Sequence, residues 1–450
     1  MNQQIPAYYM TMSVPRYTSY PTVPHFGEGV TAQTYAGWLE ALDVDRPVSL
    51  YLHVPFCRQI FWYCGCNMKL ANRYEPVGDY VEMLLREVDL LAGYLPGRMK
   101  ISHLHWGGGS PTALEPDDLA RLMEQVFTHF DPVSNAELAI ECDPRTLSAE
   151  MAARIGSLGF NRASFGVQEF DPQVQKAINR IQSRDVVAWA VDSLRCTGVE
   201  GINFDLIYGL PYQTSETLAR PISQCAKIGP DRVALFGYAH VPWMARKQRL
   251  IPKEALPGAR ERFEQSQVAA RCLRGAGYEP VGLDHFARPH DGLAKASARG
   301  ELRRNFQGYT NDLAETLLGV GATSIGRTPS GLIQNISETG AWARSVASGQ
   351  LPVSKGHAFS GEDRLRAHVI EQLMCFGRVD LVAAASMFGA APDWFCDAGP
   401  ELQGLADDGI VSFDERSVIV QPAARHVVRV VASAFDAYFV HRTARHSLAV

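Results

Sequence analysis

The stretch SLYLHVPF (49–56), the loop CRQIFWYCGCN (57–67) and the segment DYVEMLLREVDLLAGYL (79–95) decide the fold. The first is a short run rich in Val, Tyr and Phe, bounded by turn signals, and it predicts a buried strand. The last carries apolar residues at helical spacing. The same strand-then-helix rhythm recurs at ISHLHWGGG (101–109), AELAIECDP (136–144), RASFGVQ (162–168), GINFDLIYG (201–209) and RVALFGYAH (232–240), with amphipathic stretches such as 116–130 and 184–198 between them. Alternating strands and helices predict an α/β fold with a parallel sheet. Six like units with no dinucleotide fingerprint after the first strand predict a partial (β/α)6 TIM-like barrel rather than a doubly wound sheet.

Working outward, residues 1–47 form an N-terminal arm that contains PRYTSYP (15–21) and one helix near 32–43. Residues 48–355 form the barrel and its extension. A composition shift follows residue 355, and 356–450 read as a mainly helical, winged-helix-like domain. Its helices are expected at about 362–375, 378–388 and 396–408, followed by a hairpin (409–422) and a last helix (423–440). In an enzyme such a module serves packing or closure, and DNA binding is the lesser reading. The chain of 450 residues agrees with roughly two to three domains. The balance of 43 Lys and Arg against 48 Asp and Glu gives a net charge of −5, which argues against coating nucleic acid through bulk charge. The late apolar run 427–440 is broken by Arg429 and Asp436 and is too short to span a membrane. The N-terminus has no secretory signal pattern, so the cytoplasm is the expected compartment. Nine cysteines, an odd number, do not make a disulfide framework. Six of them read as buried small hydrophobes; Cys57, Cys64 and Cys66 cluster.

In a barrel of this kind the chemistry sits at the C-terminal ends of the strands. Cys57, Gly107 to Ser110, Glu141, Asp143, Gln168, Asp205 and His240 all fall there. Three thiols in one rim loop suggest soft-metal or iron–sulfur ligation. Their spacing is not that of a zinc site. Gly107-Gly108-Gly109-Ser110 lets the backbone approach a ligand, or simply makes a tight turn; it lacks the Lys of a phosphate loop. Glu141 and Asp205 lie in apolar strands and so need a cation or hydroxyl partners, which a structural ion pair also supplies. Arg180 suits a ligand carboxylate or a solvated helix end.

YLHVPFCRQIFWYCGCN resembles the cluster loop of the radical S-adenosylmethionine (SAM) enzymes, and within them that of the oxygen-independent coproporphyrinogen III oxidases, built as Cys-x3-Cys-x2-Cys-Gly-Cys. PRYTSYP, HWGGGSPT, IECDPR, GVQEF, DLIYGLP, YAH, DHFARP and RNFQGYT carry the likeness along nearly the whole chain. The resemblance implies a [4Fe–4S] cluster and two SAM molecules. The first SAM would be contacted by Tyr51, Gly108, Glu141 and Ile325. The second would be contacted by Tyr63, Gly109, Ser110, Gln168, Arg180, Asp205 and Ala239. Tyr63 stands where the family often has Phe, and Ser110 where it often has Thr. The implied reaction turns two propionates of coproporphyrinogen III into vinyl groups through a 5′-deoxyadenosyl radical, giving protoporphyrinogen IX. A low-potential electron donor is implied as partner, and the chain is expected to be a monomer without nucleic-acid or membrane partners. Arg16, Arg288, Arg303 and Arg304 are candidates for the substrate's carboxylates.

One position departs from the family pattern. Its second cluster cysteine falls at position 61, where this chain has Phe61. A phenyl ring offers iron no lone pair. The thiols that remain are Cys57, Cys64 and Cys66. Cys66, which normally does not ligate, lies within about 7 Å of Cys64 along an extended chain. Three readings stand: a sequence discrepancy, a cluster held with Cys66, or a protein that has left radical chemistry. As written, the chain is expected to hold its cluster weakly. The rival functions are a haem-chaperone paralogue, whose loop usually lacks Cys-Gly-Cys-Asn, and a non-catalytic tetrapyrrole-binding protein.

Overall fold

The computed structural model describes residues 5–391 and 393–439. Six strands follow the expected rhythm: β1 (Val48–Val54), β2 (Met99–Gly108), β3 (Phe130–Cys142), β4 (Arg162–Gln168), β5 (Gly201–Tyr208) and β6 (Arg232–Gly237). They pair in parallel, each with the next. Six further strands extend this sheet: β7 (Glu279–Val281), β8 (His285–Ala287), β9 (Leu317–Val320), β10 (Ile325–Thr328), β11 (Gly331–Asn335) and β12 (Val353–Ala358). The resulting 12-stranded sheet runs β12-β11-β10-β9-β1-β2-β3-β4-β5-β6-β8-β7. It is an open, partial barrel, because β12 and β7 do not pair with each other. The large sheet therefore continues through residue 358.

Helices between the strands begin where short polar side chains accept backbone N–H groups. Ser148, Asp171, Ser183 and Thr214 each cap one. The helices Glu75–Ala92, Pro116–His129 and Arg184–Arg195 bury their apolar stripes against the sheet. At the other end of the strands, Arg162 and Arg232 share Glu137 and Asp291, with contacts of 2.6–3.2 Å. These buried charges satisfy one another.

A second core gathers the C-terminal segment. The helices Asp363–Phe376, Leu381–Phe388 and Gly399–Asp407 pack with a three-stranded antiparallel sheet of 378–380, 417–420 and 411–413. Two local expectations are corrected. Residues 378–380 form a strand, because Gly377 (φ +67°) ends one helix and Asp380 caps the next through Ala383 N–H at 2.8 Å. The last helix ends at Ser433, where Asp436 accepts Tyr438 N–H at 2.9 Å and Tyr17 O–H at 3.1 Å instead of continuing the helix. Its expected residue 440, the remainder of the chain to 450 and residues 1–4 of the arm lie outside the described residues. The arm does not stand apart. Tyr9, Val14, Tyr17 and Tyr20 are buried in this second core. Cys196 and Cys396 are exposed and Cys272 is half-buried, so only Cys142, Cys225 and Cys375 of the six scattered cysteines are buried. No helix among the described residues is long and apolar enough to cross a membrane.

Candidate active site

The loop 57–67 leaves β1 and is tied down on three sides. Asn179 Nδ2 donates to Ile60 O at 2.9 Å, and Trp62 N–H donates to Ile178 O at 3.1 Å. Gln248, 1% exposed, donates to both Tyr63 O (2.9 Å) and Ala239 O (3.0 Å), which fastens the loop to the end of β6. Asn67 reaches Ser337 O at 3.0 Å. Gln248 and Asn179 carry no motif signal; only their place in the fold exposes this role.

Within the loop, Cys57 is buried and Cys66 is at the surface. Cys66 N–H lies 3.4 Å from Cys64 Sγ. Hydrogen bonding from Cys66 pulls the Cys64 thiol down to about 6, aided by the charges of Lys247 and Arg180. Burial and the neighbouring Cys64 push Cys57 up to about 12. Phe61, only 6% exposed, meets two guanidinium groups, with Arg180 Cζ at 4.3 Å and Arg145 Cζ at 4.6 Å from its ring centre. The Tyr63 ring stacks beside it at 5.8 Å. Both arginines are held by Asp143, whose carboxyl they keep below its usual range despite burial. Three soft thiols on one loop fit an iron–sulfur group in kind and number. They do not fit it in arrangement: among the described residues no three His, Cys, Asp or Glu side chains are placed to hold a metal ion. Where the family has its second thiol, an aromatic ring fills a cationic slot.

The glycine run is built for close approach. A Cβ at Gly107 would fall 2.6 Å from Glu141 Oε1, and one at Gly109 would fall 2.5 Å from Phe56 O. Gly108 has φ +110° and faces His53, whose ring would be 2.4 Å from a Cβ. Glu141 accepts Gly108 N–H at 3.1 Å and contacts His105 Nε2 at 3.2 Å. It is therefore fixed at the end of β3 while its side chain stays 37% exposed. Gly109 and Ser110 donate their N–H groups to Val54 and Phe56, both at 2.8 Å. The Ser110 hydroxyl pairs with Thr112 at 2.9 Å. Tyr51 O–H meets His53 Nδ1 at 2.9 Å, and its ring stands edge-on to Phe306 at 5.0 Å. Tyr51 pairs in register with Gly319 of β9, where a Cβ would lie 2.8 Å from Ile325 O, so Ile325 lies across β9 from the first strand.

On the far side, Gln168 takes φ +66° at the end of β4, and its Oε1 is buried without a hydrogen-bond partner. Arg180, 4% exposed, donates to Gly166 O and has a buried, unpartnered Nε. Both are polar atoms that a bound group would satisfy. Asp205 accepts Asn203 at 3.0 Å, and burial together with Glu141 pushes its carboxyl up to about 6. His240 is engaged with Tyr238 at 3.0 Å. Of the four arginines considered for substrate, Arg288 donates to Ala276 O at 2.6 Å and stacks 4.0 Å over Tyr278, and Arg303 pairs with Glu371 at 3.2 Å. Both are spoken for by the protein itself. Arg16 and Arg304 line a cavity.

Residues 51–220 match the family model described as the Radical SAM superfamily. The chain is 46% identical to an oxygen-independent coproporphyrinogen III oxidase of Bradyrhizobium diazoefficiens, over 97% of both chains. It is 36% identical to one from Pseudomonas aeruginosa, over 95% of this chain and 94% of the relative. Its structure is similar to that of the Escherichia coli coproporphyrinogen III oxidase described as a radical SAM enzyme, with a TM-score of 0.90, 35% identity, and coverage of 94% of this chain and 98% of that one. The chain belongs to the oxygen-independent coproporphyrinogen III oxidase family of the radical SAM superfamily.

Proposed function

We propose that the protein is a coproporphyrinogen dehydrogenase: it removes CO2 and hydrogen from two propionate side chains of coproporphyrinogen III, leaving vinyl groups, and thereby serves porphyrin and haem synthesis. The observation that carries this reading is the gathering of the loop thiols, Glu141, Gln168, Arg180 and Asp205 at one mouth of the barrel, in a chain related to such oxidases over 97% of its length.

When bound, the [4Fe–4S] cluster and SAM supply a one-electron reduction and hydrogen-atom abstraction at carbon. Cys57, Cys64 and Cys66 are the loop thiols available to the cluster, but as placed they do not form a three-ligand set, so the loop would have to rearrange to hold it. Tyr51, Gly108, Glu141 and Ile325 would contact a first SAM, and Tyr63, Gly109, Ser110, Gln168, Arg180, Asp205 and Ala239 a second. Glu141 is oriented beforehand by Gly108 N–H and His105, so it accepts hydrogen bonds without reorganising. Arg180 offers its unpartnered Nε to a carboxylate. Asp205 exchanges its proton near pH 6 and accepts hydroxyl hydrogens as a carboxylate above that. The arm tyrosines, packed into the C-terminal core, help to close the mouth against water. A low-potential donor supplies the electron, and the protein acts as a cytoplasmic monomer.

Strictly anaerobic incubation with SAM, a reductant and coproporphyrinogen III tests the proposal. Methionine, 5′-deoxyadenosine, CO2 and protoporphyrinogen IX are expected together. Phe61 favours one second reading, a tetrapyrrole-binding protein without catalysis. Binding of the substrate with none of these products, after full reconstitution, would select it.

A further inference from the structure

A cavity of about 400 Å³ lies between the ends of β5 and β6, the arm and the segment 422–429 of the C-terminal domain. Six arginines line it: Arg16, Arg262, Arg274, Arg304, Arg425 and Arg429. Asp284 is the one carboxylate in its lining among the described residues, and His285 Nδ1 already holds it at 2.8 Å. The cavity is thus strongly cationic in a chain whose net charge is −5.

Arg16 and Arg304 share the charge of Asp284, and Arg304 also stacks 4.4 Å over Tyr309, so together with Arg262 three guanidinium groups face one carboxylate among the described lining residues. Arg262 lies across two glycines: a Cβ would come within 3.0 Å of its Nη2 at Gly237 and within 3.1 Å of its Nε at Gly209. These bare positions leave room for the guanidinium on the cavity floor. Arg262 Nε, and Arg304 Nε and Nη1, are buried without hydrogen-bond partners. Arg16 makes a long contact of 3.5 Å to Gly237 O and feels the charge of Asp284. Burial and the neighbouring charges of Arg16 and Arg304 push Arg429 down to about 10, and Arg16 and Arg262 are lowered too, mainly by the protein packed around them. Like charges gathered in a partly desolvated space oppose one another until an anion enters. The walls also carry Tyr208, Phe236 and Phe306, flat apolar surfaces that suit a ring system. Phe306 in turn touches Tyr51 at 5.0 Å, so the cavity adjoins the barrel mouth.

We propose that this cavity anchors the carboxylates of a tetrapyrrole polycarboxylate, those propionates that are not reacting, through Arg262 and Arg304 on its floor and Arg16 from the arm. The proposal rests on the function proposed above and adds where the substrate is held. A planar fork of N–H donors matches a carboxylate in two-point contact, which Lys cannot reproduce. Arg16 belongs to the arm, Arg262 to the helix Ala259–Gly275, and Arg304 to the hairpin strand Arg303–Asn305. Binding therefore draws three separate elements onto one ligand.

The test is a fluorescence titration with coproporphyrin III, the stable oxidised tetracarboxylate, which needs neither cluster nor turnover. Etioporphyrin III, without carboxylates, is the control. Arg262→Gln and Arg304→Gln should each weaken coproporphyrin III binding about tenfold or more. Arg262→Lys should recover only part of the loss, and etioporphyrin III binding should not respond to any variant. Arg16→Gln, in the arm and outside the cavity floor, provides the same comparison should a floor variant fold poorly. If the wild-type chain binds coproporphyrin III and all variants bind it equally well, the cavity assignment is wrong while the proposed function stands. If the wild-type chain does not bind it at all, with or without SAM, the functional reading itself fails and this inference goes with it.

Discussion

Replacing Phe61 by Cys acts on two energies of opposite sign, and the structure gives a magnitude for each. Phe61 is 6% exposed and meets guanidinium groups at 4.3 and 4.6 Å. Burying its ring is worth about 1.5–3 kcal/mol, of which a Cys side chain keeps part. Each cation–π contact adds about 0.5–2 kcal/mol. Metal-free Phe61→Cys is therefore expected to be less stable than wild type by about 2–4 kcal/mol. With iron and sulfide present the sign should reverse, because the introduced thiolate offers iron the lone pairs that the ring lacks. Loss of an outer partner of a metal ligand already weakens binding by roughly 10–100-fold, and a missing direct ligand should cost no less. The assay is anaerobic iron and acid-labile sulfide per chain, with the rate of iron loss to a chelator and thermal melting of both forms. Wild type should lose iron quickly, and faster still with Cys66→Ser. In the Phe61→Cys background the same Cys66→Ser change should have little effect. A complete cluster of equal stability in wild type and Phe61→Cys would refute the reasoning, and a wild-type rate of iron loss that Cys66→Ser leaves unchanged would refute Cys66 as third ligand.

The remaining predictions concern single groups. In cluster-free protein, alkylation of Cys64 by iodoacetamide should rise with a midpoint near pH 6, because the thiolate is favoured above its lowered pKa; Cys66→Ala should move the midpoint up towards the ordinary value, and an unmoved midpoint would contradict the hydrogen-bond explanation. Gly108→Ala places a Cβ 2.4 Å from the His53 ring at φ +110°, so it should destabilise the chain by at least about 1–3 kcal/mol and weaken SAM binding measured by calorimetry. Glu87 is buried with Gly321 N–H, Asn335 and Trp342 Nε1 as partners at 2.6–2.9 Å, and burial pushes its carboxyl up to about 7. An acid with a raised folded pKa stabilises while it stays protonated. Relative to Glu87→Gln, wild-type stability in urea should therefore fall by about 3 kcal/mol between the ordinary carboxyl pKa and pH 7, then level off; a difference that does not vary with pH would exclude this cause.

The strands and the site were legible for different reasons. Each of β1 to β6 announces itself by a short apolar run, and parallel pairing leaves little choice for such runs. The rim residues could be placed because a strand's end carries its loop: Cys57, Gly108, Gln168 and His240 lie at or just past strand ends, whereas Asp205, expected at such an end, lies inside β5. The edge strands β7 to β12, antiparallel apart from the parallel pairing of β9 with β1, are not signalled as strands by the sequence. They are three to six residues long, and their burial is set by the sheet edge they join rather than by any period of their own. The same holds for Asp380, which reads as part of a helix until Gly377 is seen to break it.

The arginines mark the limit more sharply. A motif displays residues that are close in sequence, and Arg288, Arg303 and Arg304 drew notice because DHFARP and RNFQGYT surround them. Arg288 is used by Ala276 and Tyr278, and Arg303 by Glu371. Arg262 sits on the face of an ordinary amphipathic helix, and Arg429 lies in an apolar run where it reads as an interruption. Charge placed as deeply as that of Arg262 and Arg304 is tolerable only if something compensates it. Among the described residues the cavity lining holds one carboxylate, Asp284, against six guanidinium groups. Tyr309, stacked 4.4 Å from Arg304, and Asp284 compensate part of this charge, and a ligand able to bring several carboxylates on a flat ring meets both the remaining charge and the aromatic walls. The arginine cavity is thus legible only after folding, since its charges come from positions 16 to 429 and no local pattern links them.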